Sequence, residues 1–251
     1  MDHFLSGKRN MLAAVMLIGL IPPAIAVLIN ETTFTAARII STFLLTAFIF
    51  YLKRNDFIDR DKQKQKTEVS TLFLMIISAL IIQLLYVSLM CSVFSMELTY
   101  SSKSFPSLLE CISSIIAAPL YEEVFCRMSL TDIFISKETP PKNKVIFILL
   151  SALFFNCLHH FLVFDPHKIV LGIILGLIYM LSGNLFYCII FHMACNFIAA
   201  FFESRYSDFL IPYFYSKACF FILIVLFVLF ILAIFRKLIR TDENSDKEVS
   251  S

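Results

Sequence analysis

Pro119-Leu120-Tyr121-Glu122-Glu123-Val124-Phe125-Cys126-Arg127 sets two adjacent carboxylates and a guanidinium in a segment otherwise apolar enough to lie in a bilayer. A charged side chain at the centre of a membrane helix costs about 2.5–3.5 kcal/mol on insertion scales. Three such groups this close together need pairing, neutralisation or a wet interior. An intramembrane cluster of this kind reads first as a functional site, and otherwise as a polar lock between helices. Glu123 and Arg127 are four apart, so on a helix they share a face and pair. Glu122 is turned about 100° from Glu123. The two carboxylates therefore have different surroundings: the paired one stays ionised, and the other is placed to take a proton from water.

The surrounding chain supports a membrane setting. Its 251 residues are 59% hydrophobic and 16% charged, with a mean hydropathy of +0.83. A soluble domain carries about a quarter charged residues, so this composition predicts an all-α polytopic membrane protein without a separate soluble domain. The seven cysteines are odd in number and none forms a C-x-x-C pair. They read as small buried hydrophobes rather than a disulfide framework or thiolate metal site.

Apolar runs predict about eight transmembrane helices around a polar intramembrane pocket: residues 11–29, 37–52, 70–94, 108–135, 145–160, 169–181, 185–202 and 213–235. Ala24-Ile25-Ala26 resembles a signal-peptide cleavage site, but the run continues past it, so a retained first helix is expected. Lys53, Arg54, Arg60, Lys62, Lys64 and Lys66 form a basic loop, read as solvated rather than as a nucleic-acid patch. That loop, both termini and the 137–144 loop hold most of the Lys and Arg, which places both termini in the cytoplasm. Pro119 is expected to kink the fourth helix. Gly172-x-x-x-Gly176 is expected to admit a close neighbour helix within the fold. Three regions follow: 1–107 with helices one to three, 108–205 as the core carrying the chemistry, and 206–251 with the last helix and a polar cytoplasmic tail.

Two further helices carry polar groups. Phe155 and His159 are four apart in the fifth, and His192 and Asn196 four apart in the seventh. Each pair alone reads as structural hydrogen bonding between helices. Together, Glu-Glu-x-x-x-Arg, Phe-x-x-x-His and His-x-x-x-Asn fall in order on three apolar helices. This pattern resembles the intramembrane proteases of the CAAX-protease and bacteriocin-processing (Abi) family over about residues 108–200.

The resemblance implies an endopeptidase acting on a membrane-delivered peptide or protein. Glu122 would be the general base, with His159 holding the water; His192 and Asn196 would donate to the oxyanion; Glu123 and Arg127 would orient Glu122. A zinc-dependent version stays open, because two histidines and a glutamate match a catalytic zinc shell, although H-E-x-x-H is absent. Eukaryotic members of the family cut prenylated C-terminal tails, and prokaryotic relatives are linked to processing of, or immunity against, small secreted peptides. The expected setting is a bacterial cell membrane and a peptide-maturation or immunity role, with no nucleic-acid partner. The competing classes are a non-catalytic membrane scaffold or immunity protein, and a transporter with a carboxylate–histidine relay. The halves show no hydropathy repeat to support the transporter.

Overall fold

The computed structural model describes residues 35–37, 39–48, 68–95, 107–129, 140–159, 165–204 and 213–249, with side chains described except at 128–129, 201–204 and 239–249. Among them every regular element is helical. The expected first span, the basic 53–66 loop and the expected helix beyond residue 129 lie outside the described residues. We number the helices α1 (Thr35–Phe48), α2 (Val69–Ser92), α3 (108–129), α4 (Pro141–His159), α5 (Pro166–Ser182), α6 (Leu185–Ser204) and α7 (Lys217–Val249). Three segments are long and apolar enough to cross a membrane: Val69–Ser92, Pro141–His159 and Lys217–Leu238. Helices α1, α5 and the Leu185–Ala200 part of α6 are shorter and also apolar.

Several boundaries differ from the sequence expectation; helix α5, for one, starts at Pro166 rather than at 169. Helix α4 starts at Pro141, inside the stretch read as a polar turn. Proline suits a first helical position because its missing N–H has no partner there, so Lys142 and Lys144 ride on the first turn. Helix α7 continues past Arg236 and Lys237 to Val249, where a polar tail was expected. Hydropathy marks where an apolar run stops, and a helix can continue beyond that point into water.

The described helices divide into two compact units, one with α1, α4, α5 and nearly all of α3, the other with α2, α6 and α7. In the first, α4 packs along α5. The close approach comes from Gly172: a Cβ there would stand 2.9 Å from the Ala152 Cα, whereas one at Gly176 would meet the Ile148 Cγ2 at 3.1 Å. The expected packing of one helix on the glycines is therefore present, with α4 as the neighbour. Gly172→Ala should lower the unfolding midpoint in detergent more than Gly176→Ala. It presses on backbone, which cannot rotate away, and such overpacking costs about 1–3 kcal/mol. Equal midpoints would contradict this packing.

Helix α5 has defined ends. Asp165 accepts a hydrogen bond from the His167 N–H at 2.9 Å, as an N-cap does. Gly183, with φ +59°, closes the C-terminus by donating its N–H to the Tyr179 carbonyl at 2.8 Å. The left-handed conformation explains glycine at that turn. Thr42 of α1 donates to the Ala117 carbonyl of α3 at 3.4 Å.

In the second unit α2 packs on α7. Lys237 pairs with Glu68 at 2.9 Å and donates to Ser70, the Glu68 N–H donates to the Tyr187 hydroxyl at 2.9 Å, and Ser88 donates to the Phe214 carbonyl at 3.3 Å. The exposed side of α7 presents Phe221, Ile222, Val225, Val228, Leu229 and Leu232. That surface is suited to lipid, which makes no demand for hydrogen bonds from helix side chains.

Candidate active site

The acidic stretch lies on α3, whose backbone is unusual. A six-residue α-helical segment, Ala118–Glu123, sits between two wider π-helical segments, Ile112–Ala117 and Val124–Ser129. Proline at 119 cannot donate to the carbonyl one turn earlier, and a local π adjustment is one way membrane helices re-satisfy such groups. π-Helical turns recur at functional sites.

Glu123 and Arg127 pair as their spacing predicts. Arg127 Nη1 donates to Glu123 Oε1 at 3.2 Å, with the arginine 1% and the glutamate 0% exposed. The other guanidinium arm donates to the Gly172 carbonyl of α5 at 2.8 Å. The guanidinium carbon also lies 5.0 Å from the centre of the Phe155 ring, within cation–π range. A single cation thus joins α3 to α5 and to the α4 residue one turn before His159. Sequence reasoning missed the Gly172 carbonyl, because a backbone acceptor leaves no mark in the residue pattern.

Glu122 faces His159. Glu122 is buried and His159 partly exposed, and Glu122 Oε2 lies 3.5 Å from His159 Nε2. The other imidazole nitrogen, Nδ1, is 3.0 Å from the Phe155 carbonyl. A carbonyl only accepts, so Nδ1 carries a proton and donates. In the neutral imidazole Nε2 is then an acceptor, turned toward a carboxylate oxygen that also accepts when ionised. Two facing acceptors require something between or upon them: a proton, a water that donates to both, or a cation. Phe155 helps fix the ring as well, its centroid 4.7 Å from that of His159.

Nearby, Asn156 is buried and accepts from the Asp165 N–H at 2.9 Å. This bond holds the start of α5 to the end of α4, close in sequence to His159. Asn156 was read only as part of an apolar run.

The sequence-predicted residues thus fall into two sets. Glu122, Glu123, Arg127, Phe155 and His159 come together in the first unit. His192 and Asn196 lie on α6 in the second unit, one turn apart, with His192 fully buried.

Residues 103–198 fit the family described as type II CAAX prenyl endopeptidase Rce1-like, the same family that the three motifs resemble. The matched segment contains all three motifs. No curated protein and no solved structure matches the chain.

Proposed function

We propose, from a core that carries the CAAX-protease motifs and fits the family model, that the chain is an intramembrane endopeptidase with Glu122 as its general base. The observation that carries this reading is the facing pair of Glu122 and His159, 3.5 Å apart, with His159 Nδ1 turned to the Phe155 carbonyl. One water has two hydrogens to give, and this pair offers two acceptors. Glu122 takes one proton as the water oxygen attacks the peptide carbonyl carbon, and His159 holds the other hydrogen and so aims the oxygen. The proton on Glu122 then passes to the departing amine, leaving a new carboxyl end and a new amino end. Glu123 and Arg127 keep Glu122 in register. His192 and Asn196 donate to the oxyanion, the role their motif implies.

Substrate would be a peptide or protein segment delivered at or within the bilayer. Both a CAAX prenyl substrate, as the family description words it, and a small secreted peptide fit that requirement. We favour a multi-pass protein of the bacterial cell membrane, termini cytoplasmic, in peptide maturation or bacteriocin self-immunity.

The spacing of the pair also favours a second reading. Two ligands about 2.0–2.1 Å from a tetrahedral zinc stand about 3.4 Å apart, close to the observed 3.5 Å. The Nδ1 donation to a backbone carbonyl is what a zinc-bound histidine usually makes. Glu122, His159 and His192 would hold the ion, which would supply Lewis-acid polarisation of the peptide carbonyl.

Cleavage by the purified chain in lipid vesicles, before and after exhaustive chelation with elemental analysis, separates the two. The glutamate reading expects metal-free protein to keep its rate. Loss of activity on chelation, restored by zinc alone, assigns the metal version. No cleavage under any condition favours the non-catalytic scaffold.

A further inference from the structure

The hydroxyl of Tyr121 is buried and has no hydrogen-bond partner among the described residues. The residue as a whole is 8% exposed. Buried hydroxyls are almost always bonded, and an exception in a native fold calls for a reason such as a catalytic role or a bound species. Tyrosine hydroxyls in apolar surroundings generally find a partner. Phenylalanine would fill the same volume without an unmet donor, so packing alone does not explain the oxygen.

Its position suggests the reason. Tyr121 directly precedes Glu122, within the α-helical segment set between the two π-helical ones. The ring is also held: Tyr121 and Phe125 lie parallel, 6° apart in plane, with centroids at 6.2 Å. A held donor on the residue next to the general base, lacking an acceptor of its own, is what a site prepared for an incoming oxygen contains.

We infer that Tyr121 is a further catalytic residue, whose hydroxyl donates a hydrogen bond to the scissile peptide carbonyl of the substrate. This rests on the endopeptidase reading. The bond strengthens as the carbonyl oxygen takes on charge, so it contributes more to the transition state than to substrate binding. The substrate is a peptide backbone, and this contact is blind to side chains, so it does not select sequence.

Tyr121→Phe tests it with two readouts on purified protein in lipid vesicles containing a quenched-fluorescent peptide that the wild type cleaves. The expected result is a kcat about 10²-fold lower with KM little changed, as for loss of one oxyanion donor. The unfolding midpoint should stay equal or rise, because the substitution removes an unmet polar group and leaves the ring. Wild-type kcat in Tyr121→Phe overturns the inference. So does a lowered midpoint accompanying the loss, since that would mean the hydroxyl has an internal structural partner. A wild type that cleaves nothing sinks the endopeptidase reading, and this one with it; a wild type that cleaves alongside an unimpaired Tyr121→Phe sinks this one alone.

Discussion

Glu122→Gln should abolish peptide cleavage and leave the fold in place. Glutamine matches the shape of glutamate, and its amide nitrogen is able to donate to His159 Nε2 in place of the facing acceptor arrangement. It cannot take a proton from water. General base catalysis contributes roughly 10²–10⁴ in rate, and cleavage should fall by that range. Folding should tolerate the change, because Glu122 stands outside the Glu123–Arg127 ion pair. Removing one of two adjacent carboxylates also relieves like-charge repulsion. The comparison needs detergent-purified protein with matched unfolding midpoints. A Glu122→Gln protein that cleaves at the wild-type rate would assign the base elsewhere.

Arg127→Met should produce the largest loss of stability of any single change considered. The guanidinium is 1% exposed and Glu123 is 0% exposed, so deleting the cation strands a buried carboxylate. Removing one partner of a buried pair typically costs about 3–5 kcal/mol. The bond to the Gly172 carbonyl and the contact over Phe155 go with it. Melting in detergent should show this as a strongly lowered midpoint or as failure to purify. The double change Glu123→Gln with Arg127→Met should recover part of the loss, since a neutral amide tolerates the interior better than a lone carboxylate. If the double variant is no better than Arg127→Met, the ion pair is not what Arg127 chiefly provides, and its reach to α5 is.

Much of this arrangement was legible in the residues because it is local. Glu123 and Arg127 are four apart on one helix, so their pairing follows from helix period alone. Phe155 and His159 share a face for the same reason, and their contact along α4 was readable. Gly172 and Gly176 announced a close neighbour. What the residues did not announce is backbone chemistry. The Gly172 carbonyl that holds Arg127, the Phe155 carbonyl that sets the His159 tautomer and the π-helical segments around residues 118–123 depend on how main chains meet or widen. Side-chain spacing records none of them. Helix ends were misjudged where charge was taken for irregular structure, at Lys142 and Lys144 and again after Arg236, because hydropathy reports the apolar run rather than the hydrogen-bonded one. Tyr121 went unread for a different reason: a tyrosine in an apolar helix is ordinary until its hydroxyl is found without an acceptor.

The central claim is that Glu122 and His159 together activate a water against a peptide bond. Mass spectrometry of one membrane-delivered peptide, incubated with reconstituted wild type and with Glu122→Gln, tests it most directly. The account predicts two fragments from the wild type whose masses sum to the parent plus one water, and intact peptide from the variant. Identical fragments from both proteins would contradict it.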